Sequence, residues 1–289
     1  MSVTQRIALD ILRVLPRRRL SHFNGMAARL PVPRPLRSPL YRAFARATGM
    51  DLREAELAPA RYGSFNALFT RGLRHDARPL HPAHQGLSSP CDGILTTFGA
   101  ISHDTLLQAK GMSYSLADLL GSSKEAAAFE GGGYATIYLT PRHYHRVHCP
   151  APAAVVKARL IPGTLYPVYP EAARRVPGLF TRNERVAIHL ESDLGLLCVV
   201  MVGASNVGSI TCAFDPRLRS NTLFGGLRRR VSAYTPPVNL QAGDELATFN
   251  LGSTVVLLWQ KPGGMLFAEG GAEVRLGQPL VTMPGCAKG

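Results

Sequence analysis

"FNLGSTVVLLW" (249–259) reads as a buried β-strand. Phe249, Leu251, Val255, Val256, Leu257, Leu258 and Trp259 supply the apolar, β-branched and aromatic residues that strands favour. Gly252, Ser253 and Thr254 interrupt the run. Glycine inside a strand marks a bulge or a close approach of backbone, so a bulge is expected here.

Runs of the same character recur outward from it, back to Pro90. They are "GILTTFGAI", "GYATIYLTP", "AVVKARLIPG", "RVAIHLES", "LLCVVMVGA" and "VGSITCAF", separated by Gly and Pro. One short helix, "SLADLLG" (115–121), interrupts them. "RLRSNTLFGGLRRRVSAYTPP" (217–237) has weak periodicity and reads as a long surface loop. This pattern predicts an α+β fold, a mainly antiparallel β core preceded by a basic amphipathic helical segment.

That segment holds two helical patterns. In "TQRIALDILRVLPRRRL" (4–20), Ile7, Ala8, Ile11, Leu12 and Leu15 share a face, and Pro16 ends or kinks the helix. In "SPLYRAFARATG" (38–49), Ser38 and Pro39 suit a helix start and Gly49 a stop. A third, polar helix is expected from Ser64 to Pro79.

The chain has 289 residues, 46% of them hydrophobic, and a net charge of +14. Such a chain can bury a large core, and its basicity draws it to nucleic acid, anionic lipid or acidic substrates. Residues 1–50 carry ten arginines against one acid, Asp10. No nucleic-acid motif accompanies them, so nucleic acid is not an expected partner. Arginine-rich amphipathic helices either lie in a membrane interface or dock on the protein's own core. The five cysteines form no CxxC pair, which speaks against a disulfide framework or a zinc knuckle and fits a reducing cytosol. The N-terminus lacks a secretory signal pattern, and no apolar run approaches the roughly 20 residues that span a bilayer.

Three places concentrate reactive groups. "SPCDGIL" puts Asp92 in a turn entering a strand; "LTPRHYHRVHCP" holds His143, His145 and His148; "NLGSTVV" holds Ser253. On an extended strand His143 and His145 share one face and His148 the other, so the three do not converge on one ion and no metal is expected. Asp92, a histidine (His148 or His145) and Ser253 are an acid, a base and a hydroxyl, the set that activates serine as a nucleophile. No Gly-x-Ser-x-Gly elbow is present. The electrophile nearest Ser253 is the Gly252 carbonyl, and glycine there removes the side chain that would crowd an attack. This points to self-cleavage rather than cleavage of another protein.

Together "FNALFTRGL", "SPCDGIL", "QAKGMSYSLADLLG", "YLTPRHYHRVHCP", "LFTRNERV", "VGASNVGSI" and "FNLGSTVV" closely resemble the bacterial, pyruvoyl-dependent (prokaryotic type I) phosphatidylserine decarboxylases. The matches run in family order from about residue 60 to 260. The resemblance implies cleavage at Gly252–Ser253. Ser253 Oγ attacks the Gly252 carbonyl, the resulting ester eliminates, and the dehydroalanine left behind loses ammonia. The products are a β chain (1–252) and an α chain (253–289) that begins with a pyruvoyl group, a covalently bound pyruvate derived from Ser253. By the same resemblance Asp92, His148 and Ser253 form the charge relay for self-cleavage. The pyruvoyl group forms a Schiff base with phosphatidylserine and yields phosphatidylethanolamine, a step of phospholipid biosynthesis. His145 is the candidate proton donor.

The implied organisation is a membrane-associating segment over 1–60 and a decarboxylase domain over 61–289. The implied setting is the cytoplasmic side of the cell membrane, held peripherally on an anionic surface, with the paired chains dimerising. Two departures stand out: His143 where the family commonly has an acid, and Tyr169 where Asn is usual. "NER" (183–185) and "QAKG" (108–111) match without a role that the residues themselves suggest. The alternatives are an inert lipid-binding module, which would stay one chain, and a pyruvoyl decarboxylase of a soluble amino acid.

Overall fold

The computed structural model describes residues 17–80, 86–109, 112–205, 209–221, 229–250 and 253–282. In chain order its strands are β1 (Gly86–Ser88), β2 (Gly93–Ala100), β3 (Thr105–Ala109), β4 (Met112–Ser115), β5 (Gly133–Leu139), β6 (Arg146–His148), β7 (Ala153–Ile161), β8 (Arg185–Ser192), β9 (Gly195–Gly203), β10 (Ile210–Cys212), β11 (Arg230–Leu240), β12 (Glu245–Phe249), β13 (Ser253–Trp259), β14 (Met265–Leu266), β15 (Glu273–Val274) and β16 (Pro279–Thr282). The helices are α1 (Arg17–Ala27), α2 (Arg34–Thr48), α3 (Phe65–Phe69), α4 (Leu116–Leu120), α5 (Ser123–Ala127), α6 (Pro170–Ala173) and α7 (Leu179–Arg182).

An antiparallel sheet in the order β11-β7-β8-β9-β13-β5-β2-β15 organises the molecule. Its central strands are buried on both faces, which is why "STVVLLW" and "GLLCVVMVG" are apolar almost throughout. Val255 and Leu257 join Leu95, Ile137 and Met201 in a core on one face. Val256 and Leu258 join Tyr134, Val202 and Phe180 on the other. A three-stranded sheet, β10-β12-β6, contributes Ile210, Phe249 and Val147 to the first of these cores. The α+β architecture with a mainly antiparallel core is the one read from the sequence.

"FNLGSTVVLLW" is not one strand. Phe249 ends β12 in the small sheet, and Ser253 opens β13 in the large one. The β13 ladders to β5 and β9 run without a register shift from Ser253 to Trp259, so the expected bulge does not occur within them. The interruption marks a passage between sheets; Leu251 and Gly252 lie outside the described residues.

The helical expectations change in detail. Residues 4–16 lie outside the described residues; from Arg17 the chain is helical as α1. α2 starts at Arg34 rather than at Ser38, with a proline in its first turn, and Pro39 falls inside it. Gly49 stops it as read, in the left-handed conformation at φ +78°. The helix expected over 64–79 is only α3: Ser64 caps it by accepting the Ala67 N–H (3.1 Å), and the chain then turns to bury Arg71. The 217–237 loop is a strand at its far end, because β11 pairs with β7 along the sheet edge. Its two prolines occupy an irregularity between Ala233 and Val238, as edge strands allow.

Candidate active site

Ser253 lies between Leu139, the last residue of β5, and Gly203, the last of β9. It is buried, and its Oγ meets no hydrogen-bond partner among the described residues. The chain leaving Leu139 turns at Thr140–Pro141 into the histidine segment, so sheet register brings that segment to the end of the sheet where β13 begins.

Each histidine is held differently. His143 Nδ1 accepts the Thr140 N–H (2.9 Å), and its Nε2 faces Glu273 Oε1 (3.3 Å). Burial lowers its pKa against the opposing pull of Asp92 and Glu273. His145 is fully enclosed and stacks on Phe69 with ring centroids 3.9 Å apart. Its Nδ1 lies 2.9 Å from the His143 carbonyl, and a carbonyl only accepts, so Nδ1 carries the proton. Burial pushes its pKa down to about 3. The ring is therefore neutral, with a bare Nε2 that has no partner among the described residues. His148, on β6, donates from Nδ1 to the Gly243 carbonyl (2.7 Å), and its Nε2 accepts the Tyr144 hydroxyl (3.1 Å). Burial lowers its pKa too, with the Gly243 contact opposing.

Asp92 enters β2 beside Gly93, where an added Cβ would meet the Ile137 side chain and the Tyr138 carbonyl. Arg78 grips both its oxygens, Nε to Oδ1 at 2.9 Å and Nη2 to Oδ2 at 2.6 Å, and Oδ1 also accepts the Leu276 N–H (2.9 Å). Burial alone would raise the pKa of Asp92; the Arg78 bonds and charge more than offset it, leaving a carboxylate below its ordinary range.

The expected Asp92–His148–Ser253 relay is thus not assembled as a chain of hydrogen bonds. Asp92 is committed to Arg78 and Leu276, and His148 to Gly243 and Tyr144. A bidentate guanidinium outcompetes a neutral imidazole for a carboxylate. Sequence reasoning missed Arg78, Tyr144 and Phe69, and it left the two unassigned motifs open. Gln108 ties down the α6–α7 connection through Ala173 O (2.7 Å), Val176 O (2.8 Å) and the Leu179 N–H (2.8 Å). Arg185 binds the carbonyls of Leu119 (2.7 Å) and Asn183 (2.8 Å).

Side chains alternate along a strand, so Thr254 faces away from the Ser253 side. There it borders a cavity of about 340 Å³ with Thr97, Tyr138, Leu107, Phe180 and, at an exposed position, Arg174. The hydroxyls of Thr97 and Thr254 have no partner among the described residues.

Residues 65–282 match the phosphatidylserine decarboxylase family profile. The chain belongs to the phosphatidylserine decarboxylase family. It is 40% identical over 280 residues to a phosphatidylserine decarboxylase proenzyme of Anaeromyxobacter sp. (strain K), covering 96% of this chain and 99% of that one. It is 42% identical over 284 residues to the proenzyme of Halorhodospira halophila, covering 96% and 94%. Phosphatidylserine decarboxylases are carboxy-lyases of phospholipid biosynthesis, made as proenzymes and dependent on a pyruvoyl group. This chain fits that group at Ser253: a buried hydroxyl with no partner among the described residues starts a central strand, at the end of the sheet from which the histidine segment leaves.

Proposed function

We propose that this decarboxylase matures by cutting its own Gly252–Ser253 bond and then acts on phosphatidylserine at an anionic membrane surface. The observation that carries the reading is the unpartnered Ser253 Oγ at the start of β13, directly after Gly252. Ser253 Oγ gives its proton to a neutral imidazole and bonds to the Gly252 carbonyl carbon. The C–N bond breaks, the nitrogen of residue 253 takes up a proton, and an ester joins the two residues. Loss of the residue 253 Cα proton expels Gly252 as a carboxylate, and water then releases ammonia from the new chain end. The products are the β chain, 1–252, and the α chain, 253–289.

His148 is the base of choice, because its Nδ1–H is fixed on Gly243 and its Nε2 is an acceptor that Tyr144 can yield. Asp92 serves that step by anchoring Arg78 and the α-chain residue Leu276. Once formed, the pyruvoyl group supplies a carbonyl that accepts the electrons released with carbon dioxide. His145 Nε2, bare and neutral, handles the proton of that reaction. The Thr254 cavity, with unpartnered hydroxyls and the Arg174 guanidinium, suits a polar anionic headgroup and begins one residue from the new chain end. Attachment is proposed as peripheral, at the cytoplasmic face, on the family resemblance and the exposed apolar side chains among arginines of α1 and α2; no helix among the described residues is long and apolar enough to cross a membrane.

Intact-mass analysis of the purified protein beside Ser253→Ala tests the reading. Wild type is expected as two chains divided between Gly252 and Ser253, the smaller carrying a blocked terminus, and the variant as one. A single wild-type chain, or equal splitting of the variant, overturns it.

A further inference from the structure

We infer that Asn183 is a positioning residue for self-cleavage, acting on Ser253 through Gly203. This rests on the proposal that Ser253 attacks Gly252. Asn183 is fully buried, and its amide is saturated. Oδ1 accepts the Tyr166 N–H (2.9 Å), while Nδ2 donates to the Tyr166 carbonyl (2.9 Å) and to the Gly203 carbonyl (2.8 Å). The Gly203 N–H meanwhile donates to the Glu184 carbonyl (2.9 Å). Both polar groups of Gly203 therefore point away from Ser253, its partner across the ladder.

In an antiparallel ladder that orientation makes Gly203 and Ser253 a close, non-hydrogen-bonded pair. On the β9 side Ser253 is therefore placed by contact with Gly203, while β5 holds its other side through the pairing with Leu139. Gly203 is in turn fixed by Asn183 and Glu184. A side chain at this position would crowd the same frame, since a Cβ there would stand 3.2 Å from both the Glu184 carbonyl and Leu165 Cδ2. The Asn183 bond to Gly203 thus fixes the wall against which Ser253 rests on its β9 side. An attack on a neighbouring carbonyl needs the oxygen near van der Waals contact in the right direction, and a misplacement of about 1 Å costs orders of magnitude in rate.

The test follows splitting of full-length chain over time after cell-free synthesis. Wild type, Asn183→Ala and Asn183→Asp are compared, the aspartate keeping the shape and the Tyr166 N–H acceptor while removing both amide donors. Leu190→Ala is the control. It opens a cavity at the opposite end of β8, where Leu190 pairs with Leu197, and touches nothing near Ser253. Melting temperatures are measured in the uncleavable Ser253→Ala background. Both Asn183 variants are expected to split about tenfold or more slowly than wild type. Leu190→Ala, at an equal or larger loss of melting temperature, is expected within about twofold of wild type. Hydroxylamine cleaves esters, so it separates the steps; it is expected not to restore the Asn183 variants, because their defect precedes the ester. The inference is overturned if Asn183 variants split no more slowly than Leu190→Ala, or if hydroxylamine returns them to the wild-type rate. A wild type that does not split overturns the cleavage reading itself.

Discussion

His145 shows how much a single enclosed ring can report. An unperturbed histidine titrates near 6.5, whereas burial takes this one to about 3. Between those values the unfolded chain binds a proton that the folded chain refuses, so stability rises with pH. The contribution is complete above 6.5 and is lost as pH falls, amounting to about 2 kcal/mol by pH 5. In the uncleavable Ser253→Ala chain, His145→Gln is therefore expected to lose less melting temperature between pH 7 and pH 5 than its parent. Equal losses would show that His145 is already open to protonation in the folded state. The sequence named this histidine, Asp92 and Ser253, because reactive side chains in short motifs are visible as letters. It did not show what holds them. The Arg78 that grips Asp92 is one arginine among many, and the acceptor that orients His148 is a backbone carbonyl, 95 residues away, with no side-chain signature.

At the scale of elements, periodicity served the strands well because the central ones are buried on both faces and need apolar residues at every position. It failed where a different force sets the boundary. The expected helix from Ser64 to Pro79 breaks after Phe69 because Arg71 is drawn inward, a tertiary demand that local pattern does not carry. β11 was hidden because an edge strand buries little, so its sequence shows no apolar face. Gly93 was visible only as part of a turn, yet it lets β2 lie against β5 immediately after Asp92. Gly93→Ala would press a methyl onto the Ile137 side chain and the Tyr138 carbonyl, and a paired backbone carbonyl has little freedom to retreat. Overpacking of this kind costs about 1–3 kcal/mol. Thermal melts of Gly93→Ala in the Ser253→Ala chain are expected to show it, and the cleavable version is expected to split more slowly as Asp92 shifts. An unchanged melt would mean that the two strands part more easily than their register implies.

Across the whole molecule, the proposed cut at Gly252 would leave β13 in the middle of the sheet, flanked by β5 and β9 of the larger chain. Arg142–Glu273 (2.9 Å) and Arg275–Glu54 (3.4 Å) add links between the two chains. On that proposal the new end would form inside a frame that cleavage does not dismantle. The opposite property, an exposed apolar surface, gathers near the N-terminus: Phe23 and Met26 are three apart on α1, and Leu36 and Leu40 four apart on α2, so each pair shares a helix face. Exposed apolar side chains among arginines are what an anionic lipid surface holds, by burial and by charge together. Deleting residues 1–50 would be a blunt test, because Tyr41 and Ala45 of α2 also cover Leu68 in the core below. Serine at Phe23, Leu36 and Leu40 removes the apolar contacts and leaves that packing alone. The triple variant is expected to split normally and to decarboxylate detergent-dispersed phosphatidylserine as wild type does. It is also expected to sediment less with anionic vesicles and to lose several-fold in activity on them, more so as added salt screens the arginines. Full activity on vesicles would show that these helices dock elsewhere and that the lipid is reached by another face.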